Sequence, residues 1–163
     1  MGMYIIPFEG VATGATPGTE KTLALLHVPN TAGARGRIRE LVIGPHDAAG
    51  QDLSFMFTLR RIASVTAGGA GTGTTVAAAS LGKRDPGSPD PPFSGGYNYS
   101  AEPTTYETAA QFVAGMNARG GIIKEWGPED APRAEADMII GLLADPATTT
   151  AMVVSGYLAV ESY

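Results

Sequence analysis

The chain contains few of the side chains that usually carry out chemistry, and they are widely spaced. It has two histidines, His27 and His46, and no cysteine in its 163 residues. Without cysteine there is no thiolate nucleophile, no disulfide and no sulfur ligand for zinc. Neither histidine has a second histidine or a carboxylate at the spacing of a zinc site. The sequence therefore predicts no metal site and no bound cofactor.

Other patterns that could mark an enzyme are incomplete. The glycine-rich run at residues 68–74 lacks the Lys-Ser/Thr pair that ends a phosphate-binding loop, so it indicates a flexible hairpin loop. No serine lies in a G-x-S-x-G turn. The acidic residues of the Pro/Ala-rich stretch 127–137 are typical of a solvated loop. We expect no enzymatic activity, although a Ser-His-Asp triad would assemble only in the fold and stays open at this stage.

Composition and charge exclude several partners. Hydrophobic residues make up 44% of the chain and charged residues 17%, which suits a single domain over residues 1–163. The net charge of -5 disfavours binding to a nucleic-acid backbone. The N-terminus does not resemble a signal peptide, and no window approaches the roughly 18 apolar residues of a membrane span. We expect a protein made in a cytoplasm that binds neither nucleic acid nor a membrane.

The elements that would position any site are predicted to be mainly strands. In Leu53–Ile62 every second residue from Leu53 to Leu59 is large and apolar, which is the period of a half-buried strand. In residues 37–43, strict alternation places Ile38 and Glu40 on one face and Leu41 on the other. In residues 148–161, the even-numbered residues from Met152 to Val160 are expected to line the core. The remaining predicted strands are residues 3–8, 22–28, 111–116, 121–126 and 138–143.

About eight strands separated by Gly/Pro turns predict an all-β fold, either an antiparallel sandwich or a barrel. Glycine and proline together contribute 22 + 12 = 34 residues, too many for a helical bundle. Residues 105–118 also have apolar residues at helical spacing, so a short helix there is the alternative.

Two long segments are predicted to have no regular structure. Residues 67–79 are small and flexible, and residues 81–103 form a long Pro/Gly-rich loop with five prolines. A loop of this length is usually functional or ordered by a partner. Four large rings lie in or near it, and they either fold back onto their own domain or insert into a neighbouring chain. These rings are Phe93, Tyr97, Tyr99 and Tyr106.

The order of segments resembles that of a known family of virion proteins. The chain has an apolar run at residues 23–28, RIRELVIG at 37–44, LSFMFTLRRI at 53–62, Trp-Gly-Pro at 126–128 and SGYLAVES at 155–162. In this series it resembles the capsid decoration, or auxiliary head, proteins of tailed bacteriophages.

The resemblance implies a jelly-roll-like antiparallel β-sandwich that acts as a structural protein on the capsid exterior. Such a protein forms a homo-oligomer, often a trimer, and clamps the major capsid protein. Contacts would come from an N-terminal extended arm at residues 1–18 and from the loop 81–103, so deleting residues 1–10 should abolish capsid binding. The candidate interface residues are Tyr4, Ile5, Phe8, Phe93, Tyr97, Tyr99 and Tyr106.

The alternative function is a β-sandwich module that binds carbohydrate or a host receptor at a head fibre or tail tip. Exposed Trp and Tyr rings that stack on sugars would support it. Copy number separates the two functions, because a decoration protein is present in tens to hundreds of copies per virion and a tip adhesin in a few. A small jelly-roll isomerase would show clustered His and Glu ligands, which the sequence lacks.

Overall fold

The computed structural model describes residues 2–46, 53–65, 69–103 and 106–163, which contain twelve strands and a short 3-10 helix at Ala78–Ser80. The strands are β1 (Met3–Ala12), β2 (Lys21–Val28), β3 (Gly36–Pro45), β4 (Ser54–Ile62), β5 (Thr72–Val76), β6 (Gly82–Lys83), β7 (Ser94–Ala101), β8 (Ala110–Asn117), β9 (Ile122–Glu125), β10 (Arg133–Ala134), β11 (Met138–Pro146) and β12 (Val153–Glu161).

These strands form two six-stranded sheets. Sheet A has the order β10-β3-β12-β1-β6, and β9 also pairs with β3; sheet B has the order β5-β7-β2-β11-β4-β8. The pairs are antiparallel throughout the described residues. The main hydrophobic core takes its side chains from both sheets, so the prediction of an all-β antiparallel sandwich is confirmed.

Residues 3–12 are a strand inside sheet A, so the predicted N-terminal arm is wrong for them. β1 pairs with β12 along almost its whole length and with β6 over two residues. Tyr4, Ile6 and Phe8 alternate into the core. Pro7 lies beyond the β6 pairing, so its missing N–H interrupts no ladder on that side. Deleting residues 1–10 would therefore remove an internal strand and not a tail.

The alternation predicted for β4 is confirmed. Phe55, Phe57 and Leu59 are buried in the main core, whereas Ser54 and Met56 are exposed on the outer face of sheet B. The buried rings of this strand are removed from water and packed against apolar neighbours. This removal from water is the main contribution of such residues to stability.

A β-bulge overturns the strict alternation that the sequence predicts for β3. Glu40 pairs with Ala159 and Ile38 pairs with Val160, so Arg39 is an extra residue on β3. The extra residue shifts the pleat by one position. As a result, Ile38 and Leu41 both point into the core, and Glu40 does not share a face with Ile38 as predicted.

Two segments that the sequence predicts to be irregular contain strands. β5 lies in the small-residue segment 67–79, and β7 lies in the Pro/Gly-rich segment 81–103. A Cβ at Gly95 would be only 3.0 Å from Ile6 Cγ1. The glycine that favours a loop in the sequence is therefore what allows β7 to pack against β1.

The segment with two alternative predictions is a strand. β8 confirms the predicted strand at residues 111–116 and excludes the alternative helix there. Thr105, the first residue of that alternative, lies outside the described residues. β8 is the last strand of sheet B, next to β4.

A second, smaller hydrophobic cluster packs against the outer face of sheet B. It consists of Leu25, Ile62, Tyr99 and Ile139, with Tyr106 partly buried against it. Leu25 and Ile139 alternate with Leu26 and Ile140, which belong to the main core. The central strands of sheet B are therefore buried on both faces.

Candidate functional site

Three of the seven predicted interface residues lie in the main core. The rings of Tyr4 and Phe93 meet edge to face, with centroids 5.5 Å apart and an interplanar angle of 89°. The Tyr4 hydroxyl donates a hydrogen bond of 2.6 Å to the carbonyl oxygen of Pro89, which fixes the loop before β7. Phe8 is buried as well. These side chains anchor their own chain, so they cannot form the predicted interface.

The two tyrosines of β7 pack on opposite faces of sheet B. Asn98, between them, has a φ of 54°, and the pairing with β5 shifts register at this point. Tyr97 packs partly buried against the main core, whereas Tyr99 is buried in the outer cluster. Burial, with a smaller contribution from Glu102, raises the pKa of Tyr99 to about 12. Tyr99 is therefore unavailable to a partner, and Tyr97 is only partly exposed.

Tyr106 belongs to the chain segment that connects β7 to β8. These strands lie on opposite sides of β2, β11 and β4, so the connection has to cross sheet B. The Tyr106 hydroxyl lies 3.2 Å from Thr22 Oγ1, and Glu102 accepts a 2.8 Å hydrogen bond from the Thr22 N–H. Burial raises the pKa of Tyr106. The ring folds back onto its own domain, which is one of the two alternatives left open by the sequence.

The outer face of sheet A carries paired charges. Glu161 accepts hydrogen bonds from Arg37 (2.8 Å) and Arg39 (2.6 Å), which lower the pKa of its carboxyl group, the Arg37 bond most. Arg39 also donates to the carbonyl oxygen of Trp126. Glu40 binds Arg84 and accepts from the Tyr157 hydroxyl at 2.9 Å. These contacts hold the segment after β9 and the loop after β6 against the sheet. Of the predicted residues, Ile5 is half-buried here, opposite Ala159 of β12.

The structure contains one serine–histidine contact that the sequence did not predict. The Ser155 hydroxyl lies 2.7 Å from His46 Nδ1 and accepts a 3.0 Å hydrogen bond from the Gly10 N–H. Among the described residues, no carboxylate forms a hydrogen bond with His46, and Asp47 lies outside them. In the described part of the chain, this pair lacks the third group that orients a catalytic imidazole. The contact joins β12, β1 and the end of β3.

His27 lines a cavity of about 190 Å³ on the outer side of sheet B. The cavity lies between β2, β7 and the glycine-rich residues that lead into β5, and Ser94 and Tyr99 are among its lining residues. Burial lowers the pKa of His27, and the charge of Asp137 opposes this shift. No group of three or more potential metal ligands occurs among the described residues.

Large apolar side chains are exposed near the border formed by β8 and β9, Met56 and Val113 on the outer face of sheet B and Ile123 on the outer face of sheet A. Met56 of β4, Val113 of β8 and Ile123 of β9 are 47%, 54% and 74% exposed, and we call these three residues the edge patch. β8 ends sheet B and β9 borders sheet A on the same side, where Phe112 and Trp126 close the gap between the sheets. The two rings meet edge to face at 5.4 Å. Trp126 is partly buried against the main core.

A shallow cleft of about 390 Å³ lies beside Met56 on the outer face of sheet B. Its lining residues include Gly115 of β8, which leaves a gap in the row of outward side chains, and Asp145 and Ala147. The edge patch and this cleft are the functional candidates that the sequence missed. The one feature of the sequence that could have indicated them is the absence of charged residues from 110–117.

Comparisons with known proteins add no relative. No protein-family model, no curated protein and no solved structure matches this chain. Within the described residues, no helix is long and apolar enough to cross a membrane.

Proposed function

We propose that the chain is a virion structural protein that decorates the capsid exterior of a tailed phage and binds the major capsid protein. The single observation that carries the proposal is the edge patch, because large apolar side chains exposed on and beside edge strands are typical of a protein-binding surface. The predicted arm and ring-bearing loop fold onto their own domain, so the proposed contact moves from them to this side of the sandwich.

The strand order supports the jelly-roll-like arrangement that the resemblance implies. Within the two sheets, β1-β12-β3-β9 and β2-β11-β4-β8 are two four-stranded runs. The chain passes repeatedly between the sheets, as in the double Greek key of jelly rolls, which are common in viral capsid proteins. The same fold also occurs in lectins and cupins, so fold alone does not select the function.

Ile123 is the residue we propose to contact the capsid. It is the most exposed of the three edge-patch side chains and lies on β9, on the same exposed face as Glu125. An apolar side chain that loses its water contacts at an interface contributes roughly 1–2 kcal/mol. Many copies bound side by side on a shell would make such modest contacts sufficient.

Particle binding tests the proposal. Purified chain is added to capsids of the encoding virus that lack it, and bound protein is counted after sedimentation of the particles. We expect saturable binding in tens to hundreds of copies, and at least a tenfold weaker apparent affinity for Ile123→Lys. Thr74→Lys, on the exposed edge strand β5 at the other end of sheet B, is the matched control and should bind normally. Failure of the unaltered chain to bind would contradict the proposal.

Copy number in purified virions distinguishes the proposed capsid decoration from the alternative function, binding of carbohydrate or a receptor. The rings proposed for stacking, Tyr97 and Tyr99, pack against the domain itself, so no observation favours that alternative. A few copies per particle, located at a fibre or tail tip, would support it instead.

A further inference from the structure

The free edge of β8 differs from the other sheet edges in the described part of the chain. β6 and β10 have two residues each, β9 has four residues including Lys124 and Glu125, and β5 has five. β8 has eight residues, without a charge or a proline. Soluble proteins usually protect a long edge strand with charges, prolines or a covering segment, because its unpaired N–H and C=O groups accept another strand.

The outward side chains of β8 are complementary to themselves. Val113 is 54% exposed on the outer face of sheet B, and two residues further on Gly115 leaves a gap beside Met56. A Cβ at Gly115 would meet only the Phe55 carbonyl oxygen, at 4.0 Å, so the gap is open. When a two-fold axis passes between a projecting side chain and a gap on the same strand, the projection of each copy fits into the gap of the other. A contact between two identical surfaces requires this kind of self-complementarity.

We propose that β8 pairs antiparallel with β8 of a second copy of this chain, about a two-fold axis through Ala114. In this register Val113 of each copy lies beside Gly115 of the other, and Gln111 lies opposite Asn117, so the amides can hydrogen-bond. The two six-stranded B sheets become one continuous twelve-stranded sheet. The contact gives a dimer in place of the trimer implied by the resemblance, and it does not depend on capsid binding.

Charge favours a second copy as the occupant. The chain as a whole has a net charge of -5, so most pairs of identical surfaces would bring like charges together. Ala110–Asn117 contains no charged residue, so its pairing with itself places no like charges opposite each other within the strand pair. One strand pair with its flanking side chains is a small interface, so the dimer should dissociate on dilution in the micromolar range.

Sedimentation velocity over about 1 to 200 µM protein tests the dimer, since this range spans the affinity expected of a small interface. The monomer mass is 16.7 kDa, so the expected dimer has twice that mass. Val113→Lys brings two charges to the paired edge, and Gly115→Val fills the gap; each should weaken dimerisation at least tenfold. The matched control Thr74→Lys, on the edge strand β5 at the opposite end of sheet B, should dimerise normally.

Circular dichroism and thermal unfolding verify that each variant is folded, which is expected because position 113 is exposed and position 115 has room for a side chain. A chain that is monomeric at every concentration, or trimeric, would overturn the proposal. Dimerisation of both folded β8 variants with unaltered affinity would overturn it as well. Loss of capsid binding in Ile123→Lys with normal dimerisation concerns the proposed function alone.

A cysteine cross-link tests the register. Because the chain has no cysteine, Ala114→Cys introduces a single thiol on the proposed axis. Residues directly opposite in an antiparallel pair have Cα atoms about 4.5–5.5 Å apart, within the range of a disulfide. Mild oxidation should yield a disulfide-linked dimer, whereas Thr74→Cys on the edge strand β5 should not. No linked dimer at concentrations where the unaltered chain is dimeric would overturn the proposed register.

Discussion

The ring of Tyr106 occupies the space above Gly141 that a side chain at position 141 would need. A Cβ at Gly141 would be 2.7 Å from Tyr106 Cζ, which is closer than any real contact of this kind. Thr22 on the neighbouring strand β2 holds the Tyr106 hydroxyl. A glycine in the middle of β11 and a tyrosine in the connection to β8 thus form one packing unit on sheet B.

Gly141→Ala should therefore destabilise the protein, because the new methyl group displaces the Tyr106 ring. We expect a loss of about 1–3 kcal/mol in the free energy of unfolding, measured by urea denaturation. Gly44→Ala is the matched control, since Gly44 is also a strand glycine but a Cβ added there would meet no atom within 4 Å. The double variant Gly141→Ala/Tyr106→Ala should lose less than the sum of its single variants. Equal stability of the two alanine variants would contradict the packing relationship.

Alkaline pH should destabilise the fold through its buried tyrosines. The pKa of Tyr99 is raised to about 12 and that of Tyr106 is raised too, both mainly by burial. An unfolded tyrosine ionises near pH 10, so above about pH 10 the unfolded state binds fewer protons than the folded state. The free energy of unfolding should then fall from about pH 10 to about pH 12. Tyr99→Phe should reduce this slope, and an unchanged slope would contradict the assignment.

Glu161→Gln should destabilise the outer face of sheet A by about 2 kcal/mol, because Arg37 and Arg39 lose a charged acceptor. The folded pKa of Glu161 lies below its usual 4.5. Its contribution is therefore fully present above about pH 4.5 and is lost as the pH falls through the folded pKa. Urea denaturation at several pH values should show a flatter acid limb in the variant.

Glu129→Gln is the control for this pair. Glu129 faces Arg133 at 3.6 Å, but its side chain is 91% exposed, so the change should stay within about 0.5 kcal/mol. If the free energy of unfolding falls equally with decreasing pH in the unaltered protein and in Glu161→Gln, Glu161 does not contribute to stability.

Phe112→Ala should open the side of the sandwich next to Trp126, the single tryptophan of the chain. We expect a red shift of tryptophan fluorescence as water reaches the indole, and a loss of about 2 kcal/mol, below the roughly 3–5 kcal/mol of a fully buried phenylalanine. Val113→Ala, the next residue on the opposite face, should leave the emission unchanged. Identical emission from both variants would mean that Phe112 does not shield the indole.

The period-two pattern predicts the class of fold and the faces of regular strands, as in β4, where Phe55 and Phe57 are buried as expected. It fails at β3, because the bulge at Arg39 exists only once β12 is paired beside it. It also fails at β7, where Gly95 indicates a loop in isolation but fits a strand packed on Ile6. In both places a contact between distant parts of the chain overrides the local preference.

The edge patch could not be predicted for a similar reason. Val113 and Ile123 are ordinary strand residues in the sequence, and only the order of strands leaves them at an open border. The rings from Phe93 to Tyr106 are conspicuous in the sequence, yet they pack wholly or partly against their own domain. The exposure of a side chain depends on neighbours that lie far away along the chain. A prediction from residue type alone therefore chose the wrong surface.

The position of β12 between β1 and β3 has a consequence for biosynthesis. The first and third strands leave the ribosome early, but the strand that joins them is translated last of the twelve. At typical elongation rates, roughly 5 to 20 seconds separate β3 from β12. Throughout that interval the edge of β1 that pairs with β12 stays open. Sheet A should therefore close only after translation of β12.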